Sequence, residues 1–353
     1  MKKLLSSLLA FSLLFCVSAC ETQPDTPTNP QDEYVELLYD ASFSRGFNLY
    51  GPDSRYHATS PWERFTLDSA ADPFWKLASW GCFVNYYLDR ALTVTEDGKT
   101  YSYPARPVSV TENGGAYALS NPSYTVKVNP RTGYLSLKLD SSAEYGVTPS
   151  YTDAPRISSP RKANEAWPHL LIEENIADPV TVAEMSELVF SLDFSVTEAE
   201  CLMSDSQFDK SLHTAQITWF ISVACINPAS AFYNRYIWFG LPVYDYRYPV
   251  PSYNESAHFD GGKDDATGML IYNPPRAEYL GEEIEIGERY AFSKDMLPKI
   301  ARAFEIAKEK GVFTDCTLSD MRVVNTNIGW ELPGTFSAAF EIYNMSIKYR
   351  SGD

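Results

Sequence analysis

The chain has 353 residues, of which 44% are hydrophobic and 14% aromatic, enough apolar material to build a large core and to exclude a wholly disordered protein. Against 46 acidic residues stand 29 lysines and arginines, a formal charge of −17 with no basic run, so nucleic acid and other polyanions are excluded as partners. Four cysteines beyond the first twenty residues, Cys82, Cys201, Cys225 and Cys316, are too widely spaced for a zinc knuckle or a C-x-x-C redox pair.

In chain order, Lys2 and Lys3 lead an apolar stretch from Leu4 to Val17, long enough for a signal-peptide core and too short for a comfortable membrane span. It closes on Val17-Ser18-Ala19-Cys20, which resembles the lipobox of bacterial lipoproteins. The resemblance implies removal of residues 1–19 and lipidation of Cys20, with valine standing where leucine is commoner. Glu21, in place of an aspartate, points to the outer membrane or cell surface. Residues 20–33 are rich in proline, acids and amides, so they cannot bury enough surface to offset chain entropy and are expected to form a solvated tether.

Strand patterns dominate the expected domain, 34–350. Residues 92–103 place Asp97-Gly98 between two alternating runs, a strong hairpin signal, and 125–140 repeat the device around Asn129-Pro130 and Gly133. Residues 186–196, 214–226, 235–248 and two runs near the end are long, β-branched or aromatic, and bounded by turn residues. One segment differs. Residues 295–310 place Met296, Leu297, Ile300, Phe304 and Ala307 on one helical face, with Pro298 in the first turn and Gly311 as the stop. The expected fold is an all-β, jelly-roll-like antiparallel sandwich with that single amphipathic helix.

Residues 328–349, with Trp330-Glu331, a Pro333-Gly334 turn and a long closing strand, resemble the last hairpin of concanavalin-type jelly rolls. Residues 167–176 resemble a front strand of that fold. The resemblance implies a carbohydrate-active protein, either a lectin or a glycan-cleaving enzyme.

Strand periodicity places Tyr244, Tyr246 and Tyr248 on one face and Val243, Asp245 and Arg247 on the other, with Tyr253 on a proline-bounded loop. Outward tyrosines would form an aromatic platform suited to sugar rings. Asp245 and Arg247 replace them if the strand is turned the other way. The expectation is therefore a surface lipoprotein that captures a polysaccharide or glycoconjugate without turning it over. The alternatives are a glycan hydrolase or lyase, and an adhesive protein with a protein partner.

For the enzyme alternative the candidates are His169 and Glu173, which share a face of one strand, with Arg235 or Tyr236 nearby. Asp193, Glu331 and Glu341 are further carboxylates, but neither the E-x-D-x-E strand of glycosidases nor the Q-[IV]-H strand of alginate lyases is present: 216–218 read QIT. Asp260, Asp264 and Asp265 lie in a glycine-rich loop that could gather calcium, without EF-hand spacing. His57 and His213 stand alone. Trp62, Trp75 and Trp80 are assigned to the core. The four cysteines allow three disulfide pairings, and the sequence selects none of them.

Overall fold

The structure is a computed structural model that describes residues 33–50, 63–67, 71–96, 98–107, 109–150, 156–248, 254–261 and 266–352. The leader, Cys20, the tether, His57, Trp62, Tyr253, Asp264 and Asp265 lie outside the described residues.

Nineteen strands follow one another among these residues. They are β1 (Val35–Glu36), β2 (Gly46–Tyr50), β3 (Glu63–Thr66), β4 (Trp75–Ala78), β5 (Leu92–Glu96), β6 (Lys99–Tyr103), β7 (Ser109–Asn113), β8 (Ala116–Ser120), β9 (Tyr124–Asn129) and β10 (Tyr134–Asp140). Then come β11 (His169–Asn175), β12 (Met185–Cys201), β13 (Gln216–Cys225), β14 (Tyr236–Asp245), β15 (Ser256–Phe259), β16 (Leu270–Asn273), β17 (Arg289–Asp295), the helix α1 (Leu297–Glu309), β18 (Met321–Glu331) and β19 (Phe336–Ser351).

The strands form an eight-stranded sheet, β17-β12-β19-β10-β9-β8-β7 with β1 beside β19, a nine-stranded sheet, β15-β16-β14-β13-β18-β11-β4-β2-β3, and a separate two-stranded sheet, β5-β6. All neighbours are antiparallel except β14/β16 and β2/β4. The expected all-β sandwich is the observed one.

Alternation dictates the layering. Ile217, Trp219, Ile221, Val223 and Cys225 of β13 are buried on one side, and Leu188, Phe190, Leu192, Phe194 and Val196 of β12 face them from the other sheet. Phe190 meets Trp219 with ring centroids 5.5 Å apart, and the Trp330 indole donates to the Leu137 carbonyl at 3.2 Å, so aromatic side chains bridge the layers. On β19 the register against β12 shifts between Ile342 and Asn344, and the extra residue lets both Ile342 and Met345 point inward.

Both sequence-legible hairpins form, β5/β6 and β9/β10, with Gly98 and Gly133 at positive φ as tight turns require. The helix lies where its pattern put it. Asp295 accepts from the Leu297 amide at 3.0 Å, Gly311 ends it at φ +82, and Ile300, Ala303, Phe304, Ile306 and Ala307 form its buried face.

One expectation is corrected. β18 and β19 are not a hairpin: β18 pairs with β11 and β13, β19 with β10 and β12, so the Pro333-Gly334 turn carries the chain from one sheet to the other. The Tyr145 hydroxyl binds that turn from both sides, donating to the Leu332 carbonyl at 2.6 Å and accepting from the Gly334 amide at 2.8 Å. A chain held there leaves one layer and enters the other.

Glu174 breaks the apolar rule of the inner face. It is 0% exposed among Leu170, Ile172 and Ile176, and only one of its oxygens, the acceptor for the Tyr39 amide at 2.7 Å, has a partner among the described residues. Burial pushes its carboxyl up to about 8. A carboxyl raised on folding binds more protons folded than unfolded, so stability should fall as pH climbs from the ordinary carboxylate range through about 8. Glu174→Gln should flatten that dependence and add on the order of 2 kcal/mol near pH 8, measurable as a higher urea midpoint there than in the parent. An unchanged slope between pH 5 and pH 8 would show that Glu174 does not carry it.

Candidate functional site

The outer face of the nine-stranded sheet is a grid set by register. His169 of β11 lies opposite Glu331 of β18, Glu331 opposite Gln216 of β13, and Gln216 opposite Asp245 of β14. Each neighbours a buried inward residue, Leu170, Trp330, Ile217 and Tyr244 respectively, so these four polar side chains share the outer face. The next row along the strands carries no charge, with Leu171 opposite Gly329 and Thr218 opposite Pro242. Gly329 cannot be replaced there, since a Cβ would lie 2.2 Å from the Leu170 carbonyl oxygen at φ +149. Beyond it come Glu173, Asn327, Phe220 and Gly240, and then Asn175, Asn325, Ser222 and Trp238.

Hydrogen bonds lace the first row together. Arg247 grips Asp245 with two nitrogens, at 2.9 and 2.7 Å, and reaches the Gln216 carbonyl oxygen at 3.3 Å. The Gln216 amide donates to Glu331 Oε2 at 3.2 Å, and the same oxygen stands 3.9 Å from His169 Nε2. On its other side His169 Nδ1 faces the Trp80 carbonyl at 3.3 Å. A carbonyl only accepts, so Nδ1 carries the hydrogen and Nε2, beside Glu331, is the nitrogen that gains and loses a proton. Trp167 stacks on the imidazole at 5.6 Å and 25°, and Arg161 lies over Trp167 at 4.7 Å. Side-chain exposures of 13% for His169 and 17% for Glu331 leave both within reach of a ligand while largely out of water.

His169 and Glu173 share the outer face, as their spacing requires, yet do not meet. Glu173 is taken by Lys76 at 2.6 Å and by Asn325 at 3.2 Å, and Glu331, on the neighbouring strand, meets the histidine instead. Arg235 and Tyr236 sit at the far end of this face, some eight residues of strand from the row, or about 26 Å. Tyr236, Trp238 and Phe220 form an aromatic cluster there, with centroids 4.9 and 5.5 Å apart. Asp193 and Glu341 are on the outer face of the other sheet, bound by Arg289 and by Tyr134 and Tyr343.

The three tyrosines do not line one strand face: Tyr246 and Tyr248 are exposed, at 36% and 40%, but Tyr244 is not. β14 ends at Asp245, and a bulge between Tyr244 and Pro242 turns Tyr244 inward, 6.0 Å from Trp330, where burial pushes its phenol up to about 12. Tyr246 leans on Phe336 and Phe208 at 5.0 and 5.9 Å, and Tyr248 lies beneath Lys210 and Arg247. Asp245 and Arg247 are the pair that belongs to the outer face.

Of the calcium candidates, Asp260 accepts from both the amide and the hydroxyl of Thr267 at 2.7 Å, and no cluster of three metal-binding side chains occurs among the described residues. His213 is a buried structural residue, with Nε2 2.9 Å from the Arg161 carbonyl. Trp75 is core, as expected, whereas Trp80 is half-buried beside His169. Sequence reading missed Gln216, whose parity opposite to Ile217, Trp219 and Ile221 was the available signal.

No protein-family model and no curated protein matches the chain. Solved structures do align. They include a thermostable cellulase derived from an enzyme of Rhodothermus marinus (13% identity, 73% of this chain, 98% of that one, TM-score 0.35) and a family 12 xyloglucanase of Bacillus licheniformis (11%, 74%, 100%, 0.34). A third is the xyloglucanase domain of a type three effector from Sinorhizobium fredii (12%, 69%, 96%, 0.32). These structures are glycan-cleaving enzymes, which runs against the expectation that leaned away from catalysis. At such TM-scores the likeness carries no argument about chemistry, which rests on the residues above.

The arrangement yields a stability prediction. Asp245 is 5% exposed, and Arg247→Ala removes its two-pronged partner, which should cost on the order of 3 kcal/mol. Arg247→Lys keeps the charge but not the fork and should recover only part of that loss in thermal melts; full recovery would show that charge alone holds the turn.

Proposed function

We propose that the chain is a glycan-cleaving enzyme whose substrate lies along the outer face of the nine-stranded sheet, with His169 and Glu331 as the reacting pair. The observation that carries this reading is the 3.9 Å approach of His169 Nε2 to Glu331 Oε2, supported on one side by Gln216 and Arg247 and on the other by the Trp80 carbonyl and Trp167. At 3.9 Å the two are too far apart to share a hydrogen bond and leave room for a glycosidic oxygen beside them, to which a protonated Nε2 would donate while the carboxylate faces the positive charge that develops on the sugar ring.

Other carboxylates on the same face fit the two-carboxylate scheme poorly. Asp245 is two strands from Glu331, about 9.6 Å between backbones, and is committed to Arg247. Glu173 is four residues of strand away, about 13 Å, and is committed to Lys76. Both exceed the roughly 5 Å of a retaining pair, and Asp245, which alone approaches the wider spacing of an inverting pair, is buried and held by Arg247. The glycan is neutral in this reading, since Glu331, Glu173 and Asp245 line the face of a chain with net charge −17 and would repel a polyuronate. Phe220, Trp238 and Tyr236 supply apolar ring faces along the same strands. A leader of residues 1–19 and lipidation of Cys20, with residues 20–33 as a tether, would place this face at the outer membrane or cell surface.

Incubation with neutral and acidic polysaccharides, followed by quantitation of new reducing or unsaturated ends, tests the proposal. New reducing ends from a neutral glycan are expected. Glu331→Gln and His169→Ala should each lower the rate by roughly 10²- to 10⁴-fold while Glu173→Gln changes it little. Unsaturated ends from a uronic-acid polymer would assign elimination instead, and retardation of a glycan with no new ends would remove catalysis.

A further inference from the structure

Independently of the glycan reading, we propose that Cys225 and Cys316 are joined by a disulfide, formed as the chain folds in an oxidising compartment, that ties the end of β13 to the loop leaving α1. Their sulfurs stand 3.4 Å apart, and both residues are buried, at 0% and 1% exposure. The other two cysteines are occupied elsewhere: Cys82 faces the His169 carbonyl at 3.7 Å and Cys201 the Met203 carbonyl at 3.9 Å. Of the six pairs that these four cysteines can form, the fold brings together only this one among the described residues.

The two segments are already docked without the bond. Ser230, in the loop after β13, donates its hydroxyl to Asp315 at 2.8 Å, the Ala231 amide donates to the same carboxylate at 3.0 Å, and Asn227 donates to Asp320 at 3.0 Å. From the helix, Lys308 donates to the Cys316 carbonyl at 3.1 Å. These contacts fix both backbones and, with Ser230 Oγ 3.1 Å and Asp315 Oδ1 3.4 Å from the Cys316 sulfur, hold that sulfur beside Cys225. The bond would close a loop across 91 residues of separation and restrict the unfolded chain accordingly.

The chemistry balances with an external disulfide. One thiol, as its thiolate, attacks a sulfur of a thiol oxidoreductase or a small-molecule disulfide, and the second displaces that carrier. Two protons and two electrons leave the cysteine pair, and the carrier ends as two thiols. Timing follows from burial, which pushes the Cys316 thiol up to about 12 and so starves the folded protein of thiolate. Oxidation therefore belongs to folding, and once formed the bond is shielded from reductant.

The test is to refold the full chain from denaturant in a mixture of reduced and oxidised glutathione, alkylate free thiols, digest without reduction and map peptides by mass spectrometry. A cross-linked pair containing Cys225 and Cys316 is expected, with Cys82 and Cys201 alkylated. Alkylation of both Cys225 and Cys316, or a cross-link of either to any other cysteine, overturns the proposal. In a second reading, the oxidised chain should melt roughly 5 °C above the same chain refolded with reductant. That gap should vanish in Cys316→Ser; equal melting of oxidised and reduced parent protein counts against the bond.

Discussion

The register of β11, β18 and β13 is the constraint on which the candidate site depends. Over the rows that carry the site the three strands alternate, and the inward set is held by Leu170, Ile172, Trp330, Ile328, Ile217 and Trp219, all wholly buried. Because the side-chain period is two, a slip of one residue in any of these strands would expose that set and bury His169, Glu331 or Gln216. The core therefore fixes the outer face without touching it. Trp330 shows the coupling most directly: its indole is bonded to Leu137 of the opposite sheet, and the residue that follows it is Glu331.

Around that frame the polar row is supported from both ends. Arg247 reaches across Asp245 to Gln216, and Gln216 reaches Glu331, so a carboxylate that would otherwise swing is oriented by a neutral amide and does not have to face a full positive charge. At the other end the Trp80 carbonyl selects which imidazole nitrogen carries the fixed hydrogen. Gly81 makes that approach possible. It lies at φ +73, and a Cβ there would sit 2.1 Å from the Trp167 carbonyl oxygen. Next to the row, Gly329 and Thr218 lie between the Glu331 row and the Phe220 row, flanked by Leu171 and Pro242.

Local chemistry made much of the fold legible. Asp97-Gly98 and Asn129-Gly133 specify turns by backbone conformation alone, and the Met296, Ile300, Phe304, Ala307 spacing specifies a helix face. The strand 186–196 was likewise evident, though it runs on to Cys201. The closing pair was misread because two strands around Pro333-Gly334 look the same locally whether they pair with each other or enter different sheets; the partners, β11 and β10, are far away in sequence. The same limit hid the site. His169 and Glu331 are each recognisable as polar residues of the right parity, but their meeting depends on a register between distant strands, so the nearer Glu173 was chosen. Tyr244 is turned inward by a single bulged residue, which reverses the parity of the last two residues of β14, while Tyr246 and Tyr248 beyond the strand stay exposed. Gln216 carried no motif at all.

The central claim is that a neutral glycan occupies the outer face of the nine-stranded sheet between His169 and Trp238. A crystal structure of the catalytically silenced chain soaked with a long neutral oligosaccharide addresses it most directly. Sugar rings resting on Phe220 and Trp238, with a glycosidic oxygen beside His169 Nε2, are the predicted result. Density confined to the outer face of the eight-stranded sheet, near Glu341 and Tyr343, would contradict it.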